Sequence, residues 1–128
     1  MLENEQTRPY VLIVDDDADI SSGIDAFLRN ANYETAIARS GVEAEQAIKV
    51  RKPDIITLDV QMPEMTGLEF LEKMNKTQLL AGTKIILISG MPADELMTGL
   101  VSGVDWILEK PIQFNDVVEK VGELLNAA

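Results

Sequence analysis

Five short runs of apolar residues, separated by stretches of helical periodicity, constrain this 128-residue chain more than any other feature. The clearest runs are 10–14, 55–58 and 85–88, and weaker ones lie at 33–38 and 106–108. Continuous rather than alternating apolarity over so few residues is the pattern of a strand covered on both faces. Strands that alternate with helices build a parallel sheet. The expectation is one α/β domain, doubly wound, with five strands and five helices in strict alternation.

The intervening segments carry helix signals. Ser40-Gly-Val-Glu43 and Thr66-Gly-Leu-Glu69 both fit the S/T-x-x-E capping box, in which side chains satisfy free backbone N–H groups. Ile20, Ile24, Phe27 and Leu28 give the first helix an apolar stripe, and Val42, Ala44, Ala47 and Ile48 serve the second. Leu68, Leu71 and Glu72 continue the third, while a fourth near 94–102 is weakened by Gly99 in its interior. The last, near 115–125, carries Val117, Val118, Val121, Leu124 and Leu125 on one side. Residues 1–8 read as a loose tail and 9–128 as the domain.

Composition narrows the chemistry. With no cysteine and no histidine, thiolate metal sites, disulfides and imidazole catalysis are excluded. Carboxylates, hydroxyls, lysines and backbone groups remain. Acidic residues outnumber basic ones 22 to 11, giving a net charge of -11. Such a surface repels polyphosphate backbones, so direct nucleic-acid binding is not expected. No apolar run approaches the roughly 20 residues that span a bilayer. The polar start MLENEQTR is unlike an export signal. A cytoplasmic location is the expectation.

Ligands in open parallel sheets bind beyond the carboxyl ends of the strands. Strand one is followed by Asp15-Asp16-Asp17, strand three by Asp59, strand four by Ser89-Gly90, and strand five by Glu109-Lys110-Pro111. Asp15, Asp16 and Asp59 would converge there and raise one another's pKa unless a cation offsets them. An all-oxygen site with few protein ligands suits Mg²⁺, which also neutralises charge on a transferring phosphoryl group. Asp59 is a candidate nucleophile, since carboxylates form aspartyl-phosphates. Lys110 adds a positive point charge. Ser89 offers a hydroxyl to a phosphoryl oxygen, and Gly90 lets that group approach the backbone. Asp17 reads instead as a helix cap placed to complement the dipole. Met62, Pro63 and Gly67 read as loop architecture, with Gly67 relaxing the backbone at the helix start.

The pieces VLIVDDD, IITLDVQMPEMTG, IILISG and LEKP, in this order and spacing, make the chain resemble the response-regulator receiver family over residues 10–125. The resemblance implies a single (βα)5 domain of flavodoxin-like fold, with a five-stranded parallel sheet of order 2-1-3-4-5. It implies phosphorylation of Asp59 by a histidine kinase or histidine phosphotransfer protein. Asp15 and Asp16 would form the acidic Mg²⁺ pocket, with Asp16 the more direct ligand and the backbone carbonyl of Gln61 a further one. Ser89 would be the switch hydroxyl and Lys110 the phosphoryl-contacting lysine, joined to Pro111 by a cis bond. Gln61 and Met91 occupy the positions that tune how quickly water removes the phosphoryl group. The domain would act as a phosphoacceptor and not as an enzyme on separate substrates.

The chain also departs from the family. Receivers often carry an aromatic residue three positions before the lysine, where this chain has Ile107. Trp106 lies one place earlier, and one step along a strand reverses the face. Trp106 is therefore read as a packing or partner-contact residue. The segment from Ser89 to Lys110 is about one residue shorter than usual. The fourth helix, fifth strand and fifth helix remain the expected output surface, with an altered coupling. The output is expected from a stand-alone receiver acting by protein contact, or from a longer regulator of which this is the N-terminal part. A homodimer through that surface is compatible with the resemblance. A binding-only pseudo-receiver is the first alternative, and a small-molecule aspartyl phosphotransferase ranks below it, because Gln61 stands where such enzymes place a second acid. A flavin-binding domain is set aside for want of a hydroxyl- and glycine-rich loop after strand one.

Overall fold

A computed structural model describes residues 8–92 and 103–126. Among the described residues five strands and four helices follow in the order β1 (Tyr10–Val14), α1 (Ala18–Asn30), β2 (Glu34–Ala38), α2 (Gly41–Val50), β3 (Ile55–Asp59), α3 (Gly67–Thr77), β4 (Lys84–Ser89), β5 (Trp106–Glu109) and a C-terminal helix, α4 (Phe114–Asn126). The helix expected near 94–102 and tail residues 1–7 lie outside the described residues. All strands pair in parallel in the order β2-β1-β3-β4-β5, the doubly wound, flavodoxin-like arrangement with its switch point between β1 and β3.

The core has two layers because successive strand residues face opposite sides. Leu12, Val14, Ile56, Leu58, Ile85 and Leu87 pack with Ala44, Ile48, Phe70, Leu71 and Met74 of α2 and α3. Val11, Ile13, Ile55, Ile86 and Ile88 pack with Ile24, Leu28, Val117 and Val121 of α1 and α4. Each such Val, Leu, Ile, Phe or Met side chain contributes about 1.5–3 kcal/mol on burial. Strands buried on both faces are what the continuous apolar runs require.

Several helix expectations need adjustment. Phe27 and Val42 belong to the apolar stripes of the sequence, yet they are 41% and 58% exposed. Phe27 instead packs its ring against Phe114, with centroids 5.3 Å apart. Phe70 and Met74, rather than Leu68, carry the buried face of α3. Thr66 and Glu69 form the complete capping box. Ser40 accepts from Glu43 N–H, but the Glu43 carboxylate reaches back to Arg39 N–H, one residue before the cap. Strand two begins at Glu34 and not at Tyr33, following a left-handed Asn32 (φ 74°) that closes the turn out of α1.

Candidate functional site

Strands β3 and β4 run one residue further than their apolar runs, so Asp59 and Ser89 are their last residues. Val14 pairs with Leu58, which brings the next residues, Asp15 and Asp59, side by side. Asp15 and Asp59 are 1% and 2% exposed, whereas Asp16 is open to solvent. One carboxylate oxygen from each of the three lies within 4.8 Å of the others, and among the described residues this is the one such acidic group.

Each neighbouring element supplies something to this cluster. Asp17 caps α1 by accepting from the N–H groups of Asp19 and Ile20, as expected. Its own N–H donates to Asp15 Oδ1 at 2.9 Å. Asp59 Oδ1 accepts from Lys110 Nζ and from Gln61 N–H, both at 3.2 Å. The Lys110 N–H donates to the Ser89 carbonyl at 2.7 Å, which fixes the start of the β5–α4 loop against β4. The Lys110–Pro111 bond is cis, as the resemblance implied.

The electrostatics of the cluster are dominated by burial. Desolvation is the largest cause that raises the Asp15 pKa from 3.8 to about 6, and the charge of Asp59 pushes the same way. The Asp17 N–H and the Lys110 charge oppose that rise. Asp15 Oδ2 is buried with no hydrogen-bond partner, an arrangement that normally costs about 1–3 kcal/mol or more. A hard divalent cation fits this donor set: three converging carboxylates, of which buried Asp15 has an unpartnered oxygen and exposed Asp16 leaves room for water.

The remaining expected residues fall around this centre. The Ser89 hydroxyl is buried and accepts from Met91 N–H at 2.9 Å, so in this state it braces its own loop. Met91 is 40% exposed. Gln61 is exposed at the rim, and its Oε1 lies 3.9 Å from where a Cβ on Gly90 would stand, so its side chain reaches from the β3 loop towards the β4 loop. Ile107 packs with the α2–α3 layer of the core. Trp106 lies on the other face, under Lys120 of α4, as the one-residue shift demands.

Two glycines carry more than the sequence disclosed. Gly67 does not relax the backbone through a left-handed conformation, since the positive-φ glycines among the described residues are Gly82 and Gly103. Its role is closeness: a Cβ there would stand 2.4 Å from the Asp59 carbonyl oxygen, and its N–H donates to Val60 O at 2.8 Å. Gly41 likewise leaves space for Met65, whose sulfur would be 2.9 Å from a Cβ. That contact seats the β3–α3 loop on the start of α2. The left-handed position in the loop falls to Glu64 (φ 71°), not to glycine. Only the pairing of loop and strand end reveals these contacts; residue spacing does not.

Comparison with known proteins agrees with this arrangement. Residues 11–122 match the family described as the response regulator receiver domain. Over 120 residues the chain is 32% identical to the transcriptional regulatory protein PrrA of Mycobacterium tuberculosis, covering 93% of this chain and 51% of PrrA. It is 28% identical over 115 residues to the DNA-binding response regulator MtrA of the same organism, covering 89% and 49%. The chain thus spans about half the length of these curated relatives. A CheY-like receiver domain protein from Methanospirillum hungatei superposes with a TM-score of 0.84 at 30% identity, over 94% of this chain and 95% of that one. From the match across residues 11–122 and the shared architecture, this chain belongs to the response regulator receiver domain family.

Proposed function

We propose that this receiver accepts a phosphoryl group on Asp59 from the phosphohistidine of a sensor histidine kinase or histidine phosphotransfer protein, in a Mg²⁺-dependent reaction. The observation that carries this reading is the convergence of Asp15, Asp16 and Lys110 on a buried Asp59, with one Asp15 oxygen left unpartnered. Asp15, Asp16, Asp59 and the Gln61 carbonyl would hold the ion. When bound, Mg²⁺ supplies charge neutralisation to the phosphoryl oxygens and relieves the repulsion among the carboxylates.

The chain's own residues do the positioning. Lys110 and the Gln61 N–H both grip Asp59 Oδ1, holding the carboxylate in one orientation before the donor arrives. A carboxylate oxygen of Asp59 attacks phosphorus as the P–N bond to the donor imidazole breaks. The bonding pair leaves with the imidazole nitrogen, which takes up a proton. Lys110 then keeps a positive charge beside the added phosphoryl group. Ser89, now braced on Met91 N–H, is the hydroxyl that moves towards it. That movement shifts the population of the output surface formed by the fourth helix, β5 and α4. Gln61 and Met91 set the rate at which water removes the phosphoryl group. The module works in the cytoplasm, alone or as the N-terminal part of a longer regulator, by protein contact and without binding nucleic acid itself; among the described residues no helix is long and apolar enough to cross a membrane.

A binding-only reading has one observation in its favour: Ile107, not an aromatic residue, stands at the switch position. Incubation with Mg²⁺ and acetyl phosphate, followed by intact-mass measurement, separates the two. The expected result is a single phosphoryl adduct that requires Mg²⁺ and is absent from Asp59→Asn. Absence of the adduct in a folded protein that still binds Mg²⁺ and beryllofluoride would favour rapid loss of the group. Absence of both adduct and beryllofluoride binding would favour the pseudo-receiver. Turnover of a phosphate ester would point to a phosphotransferase instead.

A further inference from the structure

Phe114 opens α4, four residues after Lys110, and its ring fills a gap that a glycine leaves in α1. A Cβ on Gly23 would stand 2.1 Å from Phe114 Cζ, and 2.4 and 2.7 Å from the two Cε atoms. Glycine weakens a helix interior, so what this position gains is the seat for the ring. The same ring packs against Phe27, one turn further along α1, with centroids 5.3 Å apart. Helix α1 is tied in turn to the acidic cluster. Asp17 caps it by accepting from the N–H groups of Asp19 and Ile20, and donates its own N–H to Asp15 Oδ1 at 2.9 Å. The acids and the Lys110 loop therefore share one frame.

The stretch between Lys110 and Phe114 is loosely supported. Of the three residues in between, only Ile112 is half-buried. A cleft of about 440 Å³ opens there, lined by Ile20, Lys110, Pro111, Ile112 and Phe114. One end of the stretch is fixed by the Lys110 N–H, which donates to the Ser89 carbonyl at 2.7 Å. The other end is fixed by Phe114. We infer that Phe114, seated over Gly23, is a positioning residue that holds the β5–α4 loop so that Lys110 Nζ stays on Asp59 Oδ1, 3.2 Å away. The inference rests on the proposed phosphoryl transfer and adds a residue that acts through Lys110 without touching the reacting atoms. Lysine acts as a point charge on a flexible stem, so a displacement of about 1 Å in its loop is enough to slow transfer.

The test compares Phe114→Ala, which empties the gap, with Gly23→Ala, which fills it from the other side, both in the full chain. Acetyl phosphate is the donor, so no partner surface enters the rate. With saturating Mg²⁺, both variants are expected to form the Asp59 adduct about tenfold or more slowly. In hydrogen exchange read by NMR, the Lys110 N–H should lose protection while the Ile86 and Leu87 N–H groups of β4 keep theirs. Val121→Ala, about two turns further along α4, removes buried core instead. It should lower the urea midpoint without slowing the adduct or exposing the Lys110 N–H. An unchanged rate, or a Lys110 N–H still protected, in either folded variant overturns the inference. So does equal slowing by Val121→Ala, which would make the effect one of general stability. If Phe114→Ala fails to fold, the milder Phe114→Leu decides by the same readings. A wild type that takes no adduct overturns the phosphoacceptor reading alone, and the exchange of the Lys110 N–H then decides the positioning.

Discussion

Replacing Asp15 by Asn removes a charge that the fold holds at a cost. The Asp15 carboxyl is 1% exposed, and burial above all raises its pKa from 3.8 to about 6. At about 1.4 kcal/mol per pKa unit, keeping it ionised at neutral pH destabilises the metal-free fold by up to roughly 3 kcal/mol. Asparagine retains an acceptor for the Asp17 N–H and places a donor where an unpartnered oxygen stood. A net gain of about 2 kcal/mol is expected, or roughly 6–8 °C in Tm for a domain of this size. The sign of the pH dependence follows from the direction of the shift. The folded state holds the Asp15 proton more tightly than the unfolded chain, so this group's contribution is fully present below the unfolded pKa of 3.8 and is lost as pH rises through about 6. Urea denaturation of both proteins with a chelator, from about pH 4 to about pH 8, measures this. The stability gap between variant and wild type should be small at the acid end, open between about pH 4 and about pH 6, and then stay level. Added Mg²⁺ should narrow it by stabilising the wild type more than the variant. A gap of constant size across pH, or a variant less stable than wild type at neutral pH, refutes the reasoning.

Three further substitutions test the surroundings of the site. Thr57 carries a buried hydroxyl with no partner, so Thr57→Val should raise the urea midpoint, by about 1 kcal/mol in stability. Thr66→Ala breaks the complete capping box at the start of α3 and should lower stability by about 1 kcal/mol in the same assay. Gly67→Ala forces a Cβ against the Asp59 carbonyl; a loss of about 2 kcal/mol is expected, together with slower adduct formation from acetyl phosphate because the end of β3 must shift.

The apolar runs made all five strands legible because they are too short for helices; β1, β3 and β4 are buried on both faces, whereas the edge strands β2 and β5 are only partly buried and have the weaker runs. Helix existence was legible from caps, but the buried stripes were less so. Phe27 and Val42 have the right spacing and the wrong exposure, since periodicity fixes a face only to within a neighbouring position. The acidic cluster and Lys110 were legible because their chemistry is written in residue type and strand position. What the sequence could not disclose is contact at close range. Nothing in the spacing of Gly67 says that it touches the Asp59 carbonyl, or that Gly41 makes room for Met65. The helix expected near 94–102 lies outside the described residues, which leaves the fourth-helix part of the output surface an expectation from the sequence.

The site is a consequence of strand register, and register is fixed by the core. Ile13, Thr57 and Ile86 lie side by side across β1, β3 and β4, one step below Asp15, Asp59 and Ile88 on the same face. Slipping β1 by one residue would turn Val11 and Ile13 away from α1 and α4 and swing Asp15 to the opposite side of the sheet. The apolar rows hold the register against that slip: two isoleucines flank Thr57, and Ile24, Leu28, Val117 and Val121 close over them. Their burial lets the fold keep two buried carboxylates adjacent despite their repulsion. A receiver site of this kind is thus a small destabilised edge supported by a well-packed sheet, and its readiness for a cation follows from the same repulsion that Asp15→Asn would relieve.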